Sequence, residues 1–162
     1  MENILICTYD SELLPEKKTP EAMCWDIKSA EAFSIAPGEI KLVKSWIKTF
    51  IPHGRACKIY VRSSLPIKNG LMLANSVGIV DADYRGEHLM QLYNFTGKNL
   101  DIPQYARLCQ IEFCPHHWGE KNFWTSKIPA IEMKVDNQLF DTFDKVFCSK
   151  RGAWGFGSTG SK

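Results

Sequence analysis

The sequence predicts an all-β domain, and three observations support this prediction. Short runs rich in Ile, Val, Tyr, Phe and Trp are separated by turn residues at close intervals. No segment keeps a long amphipathic helical period. With 162 residues and 44% hydrophobic content, the chain is long enough to bury the core of one ordinary domain. We therefore expect a compact β-sandwich or β-barrel with little helix.

Five segments carry the predicted strands. They are residues 41–51, 56–61, 71–80, 88–95 and 108–114. Side chains alternate between the two faces of a strand, and in residues 88–95 both faces are partly apolar. This is typical of a strand buried between two layers. Residues 83–86 have the composition of a tight turn, so we expect a hairpin there between the third and fourth segments.

Residues 115–150 differ from the rest of the chain because they are rich in aromatic side chains. The cluster of Trp118, Phe123 and Trp124 is followed by Phe140, Phe143 and Phe147 at spacings of three and four. That spacing predicts a helix over residues 137–147 with one apolar face packed on the body. We assign residues 1–150 to a core that includes this 115–150 insert or strap, and residues 151–162 to a mobile, glycine-rich C-terminal arm.

Composition excludes several classes of function. A net charge of +2 is too small for binding to nucleic acid or membranes by bulk electrostatics. No run approaches the length of a membrane span, and the apolar run at residues 4–7 is too short for a signal peptide. The six cysteines lack C-x-x-C spacing, so we expect reduced thiols. These features predict a cytoplasmic protein, or one of the host cytoplasm if the source is viral.

The arm is rich in glycine, which makes regular structure costly there. Residues 155–160 match the letters of G-x-G-x-x-G, but no strand precedes them and no helix follows in the chain. A guanidinium, an aromatic ring and two hydroxyls stand among the glycines, at Arg151, Phe156, Ser158 and Thr159. We expect an arm that folds over phosphates held by other residues.

Polar chemistry is densest between residues 62 and 87. Arg62, Ser63 and Ser64 combine one guanidinium with two hydroxyls, a set suited to phosphate oxygens. Asn75 follows, and Asp81 comes after two apolar residues, where a carboxylate is harder to explain as ordinary turn chemistry than at Asp83.

Taken in order, these segments resemble the five motifs of the trimeric dUTPase family. The motifs are residues 22–30 with Asp26, residues 61–65, residues 75–87, residues 106–110 and the terminal arm. The resemblance implies the jelly-roll-like β-barrel of that family, with the arm exchanged between subunits. It also implies hydrolysis of dUTP to dUMP and pyrophosphate, which keeps dUTP low and supplies dUMP for thymidylate synthesis.

The resemblance implies a role for each residue. Asp81 is the general base for a water that attacks the α-phosphorus. The substrate-binding residues are Arg62, Ser63, Ser64, Asn75, Gly78, Tyr84, Gln110, Arg151, Phe156, Gly157, Ser158 and Thr159. Within this set, Asn75 and the backbone near Gly78 hold uracil, Tyr84 lies under the deoxyribose, Arg151 clamps the γ-phosphate and Phe156 stacks on the base.

The expected cofactor is Mg²⁺, held mainly by the triphosphate, with Asp26 acting through a water molecule. The expected partners are dUTP and two further copies of the chain. In this homotrimer with shared active sites, one chain gives the phosphate grip, a second the uracil hairpin and a third the arm. Arg62 could also serve the subunit interface.

Two positions depart from the family pattern. Cys24 stands where glycine is usual, and Ala153-Trp154 replaces an acidic residue followed by glycine. Two alternative functions stay open. One is a dCTP deaminase or bifunctional enzyme of the same fold, although Gln91 stands where those enzymes place a catalytic glutamate. The other is a dUTP-binding regulatory module that uses residues 115–150 as its interaction surface.

Overall fold

Strands dominate the part of the chain that the computed structural model describes, residues 3–115 and 129–155. The strands are β1 (Ile4–Thr8), β2 (Trp25–Lys28), β3 (Phe33–Ile35), β4 (Ile40–Lys44), β5 (Ile47–Phe50), β6 (Arg55–Val61), β7 (Leu71–Leu73), β8 (Gly78–Asp81), β9 (Leu89–Asn94), β10 (Leu100–Ile102), β11 (Arg107–Pro115) and β12 (Ile131–Val135). The helices are short: α1 (Ser64–Asn69), α2 (Asn137–Asp141) and α3 (Phe143–Val146). A single 3-10 turn at Ser11–Leu13 lies between β1 and β2 in the described residues. No helix in these ranges is long and apolar enough to cross a membrane. The all-β prediction is confirmed.

The strands form four sheets, none of which closes into a barrel within the described residues. The largest has the order β2-β11-β6-β8, and a three-stranded sheet has the order β4-β9-β7. A second three-stranded sheet, β12-β1-β5, contains the parallel pair β12–β1, and β10 pairs with β3. Buried aliphatic side chains from all four sheets meet in one core.

Strand β6 is central to the largest sheet. It pairs antiparallel with β11 on one side, Tyr60 opposite Gln110, and with β8 on the other, Ala56 opposite Asp81. The sequence predicted β6, β9 and β11 to within one or two residues, because these strands are long and rich in β-branched and aromatic side chains.

Two predicted strands each divide into two. Residues 41–51 break at Ser45 and Trp46, where Trp46 has a φ of 49°, and β4 and β5 join different sheets. Residues 71–80 break after Leu73 at a turn in which Ser76 has a φ of 62°. Left-handed residues other than glycine leave no signal in a pattern of apolar residues, so both breaks were missed.

The expected hairpin at residues 83–86 is wrong. Strand β8 pairs with β6, whereas β9 pairs with β4 and β7, so the turn carries the chain from one sheet to another. The prediction that β9 is buried on both faces also needs correction. Met90 and Leu92 are fully buried, but Gln91 and Tyr93 on the opposite face are only half-buried in the single chain.

The predicted helix over residues 137–147 consists of two shorter helices with Thr142 between them. The Asp136 side chain accepts a hydrogen bond of 2.8 Å from the Leu139 N–H, which caps the start of α2. Phe140 and Phe143 are buried in a second apolar cluster with Leu5 of β1. Residues 131–147 therefore pack on the body, through the pairing of β12 with β1 and through the buried phenylalanines.

Phe143 is fully buried, so it provides a direct test of how strongly the strap stabilises the fold. We expect Phe143→Ala to lower the free energy of unfolding by about 3–5 kcal/mol, because it removes buried apolar area and leaves a cavity. Urea unfolding at one fixed protein concentration measures the change.

The matched control is Val146→Ala on the same helix, since Val146 is 56% exposed. Its effect should stay within about 0.5 kcal/mol. Equal effects for the two variants would contradict an integral strap.

Candidate active site

The predicted site residues fall into two groups, and the charged residues Asp81 and Arg62 of the two groups lie near opposite ends of β6. We call Asn75, Gly78, Asp81, Tyr84 and Arg151 the Asp81 group. Asp26, Arg62, Ser63, Ser64 and Gln110 form the Arg62 group. The two groups are carried by different strands, and their carboxylates differ in burial and in ion-pair partners.

Asp81 ends β8, where its carboxylate is 52% exposed. Arg151 Nη1 donates a hydrogen bond to Asp81 Oδ2 and lies 3.9 Å from Asp83 Oδ1. The first residue of the predicted arm thus contacts the predicted base in the same chain. A carboxylate oxygen that is open to solvent is placed to accept a proton, as a general base must.

A cavity of about 180 Å³ opens beside Asp81. Its walls come from β6, β8, β9, the turn after β8 and the start of the arm. They comprise Ile59, Asn75, Gly78, Ile79, Val80, Tyr84, Glu87, His88, Leu89, Gln91, Arg151 and Gly155. The structure therefore brings four residues of the Asp81 group together around one cavity and places Asp81 next to Val80 at its edge.

Close backbone approach shapes this cavity. A Cβ on Gly78 would lie 3.1 Å from the Ile59 Cβ on the neighbouring strand. A Cβ on Gly86 would lie 2.3 Å from the Tyr84 hydroxyl oxygen. Glycine at Gly78 lets β8 pack closely on β6, and glycine at Gly86 lets the following turn pack closely on the Tyr84 side chain.

Tyr84 is held rigidly. Its hydroxyl donates a hydrogen bond of 3.0 Å to the Glu87 carbonyl oxygen, and burial raises the pKa of the phenol. The Arg151 guanidinium lies 5.6 Å from the centroid of the Tyr84 ring, within range of a cation–π interaction. One ring face of Tyr84 therefore meets the arm at its first residue.

Glu87 and His88 support the cavity and were not predicted as site residues. The Glu87 carboxylate accepts hydrogen bonds from the N–H groups of Ser45 and Trp46, at 3.0 and 2.9 Å. These bonds stabilise the left-handed Trp46, and burial raises the pKa of Glu87. The only sequence signal was two polar residues directly before a buried strand.

The Arg62 group is organised around a buried carboxylate. The Asp26 side chain is 10% exposed and lies between two guanidiniums, with Arg62 Nε at 3.3 Å and Arg107 Nη1 at 3.4 Å. Gln110 of β11 lies opposite Asp26 in the sheet register. Two cations around one carboxylate leave a net positive charge, which suits an anionic ligand.

Arg107 is a member of this group that sequence reasoning missed. The register between β11 and β2 shifts between Arg107 and Cys109, and such a bulge interrupts the alternation of faces. A strict period of two places Arg107 and Gln110 on opposite faces, so only the bulge explains why both border Asp26.

Ser63 and Ser64 begin helix α1, which the sequence did not predict. Ser63 is exposed at the N-terminus of the helix, and Gly70 ends it with a φ of 66°. Pro66 in the first turn and glycine after the last residue are typical helix boundaries. Because the helix has only six residues, these two boundary signals lie too close together for the sequence to indicate a helix between them.

The two groups are far apart within one chain. Asp81 lies opposite Ala56 in β6, and Arg62 follows six residues after Ala56. At about 3.3 Å per residue this places the two backbones about 20 Å apart. Gln110 is also remote, since β11 and β8 flank β6 on opposite sides. Side chains of one chain therefore cannot surround a single phosphorus atom from both groups.

Four predicted residues, Phe156, Gly157, Ser158 and Thr159, lie outside the described residues, as does the aromatic cluster of Trp118, Phe123 and Trp124. Gly155, the last described residue, lines the cavity. Within residues 3–115 and 129–155, no cluster of three or more His, Cys, Asp or Glu side chains could hold a metal ion. Asp26 is already shared by two guanidiniums, so the described side chains do not fit a metal held by the protein alone.

The structure thus defines an all-β protein with a polar cavity and a separate cluster of two guanidiniums around a buried carboxylate. The sequence model of the dUTPase family matches residues 11–137. The deoxyuridine 5'-triphosphate nucleotidohydrolase of Lactococcus lactis is 40% identical over 108 residues, which cover 63% of this chain and 72% of that protein. This chain belongs to the dUTPase family.

Solved structures agree with this placement. The dUTPase from Streptococcus mutans superposes with a TM-score of 0.67 at 34% identity, covering 70% of this chain and 93% of that one. A mutant dUTPase from phage phi11 of S. aureus shares the fold, with a TM-score of 0.66 at 20% identity and coverage of 73% and 94%. The latter structure was described for its coordination of a structural Mg(II) ion.

The buried His88 makes stability depend on pH. The side chain is 1% exposed and its Nε2 lies 2.9 Å from Thr49 Oγ1, while burial lowers its pKa from 6.5 to about 4. Between those values the unfolded chain binds a proton at His88 that the folded chain does not. The contribution of neutral His88 to the free energy of unfolding is therefore complete above pH 6.5. It is lost as the pH falls to 4, and the total loss is about 3 kcal/mol.

We expect His88→Gln to reduce this loss of unfolding free energy between pH 6.5 and 4. Urea unfolding at several pH values measures the slope, so any constant destabilisation of the variant does not matter. Val146→Ala, at an exposed position, changes no titratable group; it is the control and should keep the wild-type slope. A variant slope equal to that of wild type would contradict the assignment to His88.

Proposed function

We propose that this chain hydrolyses dUTP to dUMP and pyrophosphate; its relatives are named deoxyuridine 5'-triphosphate nucleotidohydrolases. The observation that carries the proposal is the cavity lined by Asn75, Gly78 and Tyr84, with the exposed carboxylate of Asp81 at its edge. Water attacks the α-phosphorus, Asp81 accepts the proton, and the bond to the bridging oxygen of the β-phosphate breaks as pyrophosphate leaves.

The cavity fits a uracil base. Asn75 offers both an amide donor and a carbonyl acceptor, and the backbone near Gly78 offers further groups to a planar edge. Cytosine presents a different pattern of donors and acceptors, so it would leave buried polar groups unpaired and bind much more weakly. The rigid Tyr84 ring would pack under the deoxyribose, where a 2′-hydroxyl of UTP has no room.

The Arg62 group would hold the triphosphate. Arg62 supplies a guanidinium, Ser63 and Ser64 supply hydroxyls, and Gln110 supplies an amide donor. Arg151 would leave Asp81 for the γ-phosphate, since an exposed ion pair is weak in water and a phosphate carries more charge. Phe156, Gly157, Ser158 and Thr159 would close over the base and the phosphates.

We further propose that Mg²⁺ accompanies the triphosphate and neutralises part of its charge. Because the described side chains do not form a metal-binding cluster, the ion would be held mainly by phosphate oxygens and water. Asp26, already paired with Arg62 and Arg107, would reach it only through a water molecule.

We propose a homotrimer in which each active site combines the Asp81 group of one chain with the Arg62 group of a neighbour. The separation of about 20 Å between these groups supports sharing, because one substrate must contact both. An apolar surface supports association: Ile40, Tyr93 and Met72 lie side by side across β4, β9 and β7, and Ile40 is 60% and Met72 40% exposed. A neighbouring copy would cover this surface.

The deaminase alternative finds no support at Gln91. This side chain lines the cavity, but an amide cannot accept a proton as a catalytic glutamate does.

Asp81→Asn should lower the rate of pyrophosphate release from dUTP by about 10²–10⁴-fold, because the amide is not a base. The matched control is Asp83→Asn, two residues away on the same turn and also near Arg151, which should stay within a few fold of wild type. Wild type should release pyrophosphate from dUTP and not from dCTP, dTTP or UTP. Ammonia from dCTP, or tight dUTP binding without turnover, would contradict the proposal.

Shared sites predict recovery of activity in mixed oligomers. Asp81→Asn and Arg62→Gln chains should each be nearly inactive alone. After co-refolding at equal amounts, about one quarter of the sites in a cyclic trimer should combine an intact Asp81 with an intact Arg62 from a neighbour. Pyrophosphate release that stays at the level of the two parents would show that sites are not shared.

A further inference from the structure

The turn between β8 and β9 leaves one sheet and enters another. Strand β8 pairs with β6, whereas β9 pairs with β4 and β7. Ladder hydrogen bonds between β8 and β9 therefore do not fix this turn, and its backbone groups need other partners. Within the turn, the Tyr84 N–H donates a hydrogen bond of 3.1 Å to the Asp81 carbonyl oxygen. Contacts outside the strand ladders decide the rest of its path.

The side chain of Arg85 supplies several of these contacts. It is 5% exposed, and its Nη1 donates hydrogen bonds to the carbonyl oxygens of Ala82 and Tyr84, at 2.7 and 2.9 Å. Its Nε donates to the Phe147 carbonyl oxygen at 2.7 Å, and the guanidinium lies 5.1 Å from the centroid of the Phe50 ring. One buried cation thus holds the turn at two points and joins it to the body at two others.

The shape of the guanidinium determines what it can fix. Its donors lie in one rigid plane, so three carbonyl oxygens bound to it have defined positions relative to one another. Hydrogen bonds from a charged donor are stronger than neutral ones, which offsets part of the cost of burying the charge. A lysine ammonium is a compact charge on a flexible stem and cannot reproduce this planar arrangement.

Tyr84 is held at both of its ends. Arg85 binds its carbonyl oxygen, and its own hydroxyl donates a hydrogen bond of 3.0 Å to the Glu87 carbonyl oxygen. A Cβ on Gly86 would lie 2.3 Å from the Tyr84 hydroxyl oxygen and 2.5 Å from Cζ, so the ring lies directly against the backbone of the turn. The ring therefore has little room to shift while Arg85 keeps the backbone of the turn in place.

We infer, on the basis of the function proposed above, that Arg85 is a positioning residue that sets how strictly the site rejects a ribonucleotide. The described walls of the cavity include Tyr84 and do not include Arg85, so Arg85 acts through the position of the Tyr84 ring. A ribose differs from a deoxyribose by one hydroxyl group. A ring displaced by about 1 Å is enough to loosen a preorganised site, and here it would make room for that hydroxyl.

Arg85→Lys tests the inference, because it keeps the positive charge and most of the side-chain stem but loses the planar set of donors. We expect the ratio of kcat/KM for dUTP to kcat/KM for UTP to fall by about tenfold or more. Pyrophosphate release from the two nucleotides, measured on the same preparation at high enzyme concentration, gives the ratio. Loss of folded enzyme lowers both rates equally, so a purely structural role for Arg85 would leave the ratio unchanged.

A second variant, Arg85→Gln, keeps amide donors without the charge and should also lower the ratio. The matched control is Arg107→Lys, the same chemical change at a guanidinium beside Asp26. Since dUTP and UTP carry the same triphosphate, this control should affect both nucleotides alike and keep the wild-type ratio.

The outcomes separate this inference from the proposed function. A wild-type ratio in both Arg85 variants overturns the inference, and so does a wild-type enzyme that accepts UTP as readily as dUTP. In the first case dUTP hydrolysis stands, because wild type still releases pyrophosphate from dUTP. The proposed function itself fails only if wild type releases none.

Discussion

The pairing of β6 with β8 and β11 is the constraint on which both halves of the site depend. Because β8 and β11 pair with β6 on opposite sides, Asp81 is held at one end of β6, while Gln110 and Arg62 are held toward the other. The separation follows from strand geometry and cannot be closed by side-chain motion. The homotrimer proposed above would bring the two polar groups to one substrate by placing them beside another copy.

The carboxylates of the two groups differ in burial and in the number of guanidiniums around them. Asp26 is buried and shared by Arg62 and Arg107, so its charge orients two cations and is costly to disturb. Asp81 is exposed and its contact with Arg151 lies at the surface, where such pairs contribute little to stability. Under the function proposed above, the first arrangement would be a fixed anion-binding surface, and the second would be exchanged when a phosphate competes for Arg151.

Much of the fold and of the candidate site could be predicted from the sequence, and the features that were not predicted have physical causes. The long strands β6, β9 and β11 follow from their β-branched and aromatic content, and Asn75, Gly78 and Tyr84 do meet around one cavity. The left-handed Trp46 and the bulge next to Arg107 depend on contacts between distant segments. Helix α1 was missed because its two boundary signals lie only a few residues apart. A helix was predicted from the spacing of Phe140, Phe143 and Phe147, although its break at Thr142 was not.

The strap also explains why the chain has a defined place where the glycine-rich segment begins. Glycine loses much backbone entropy on ordering, so local propensity alone would leave this segment without a fixed path. Arg85 holds the Phe147 carbonyl oxygen, and Ser149 joins the Asp83 carbonyl oxygen to the Gly152 N–H. The exposed Trp154 follows this held segment, and its carbonyl oxygen accepts a hydrogen bond of 3.2 Å from Arg151 Nε, so the bulky side chain is accommodated at the surface.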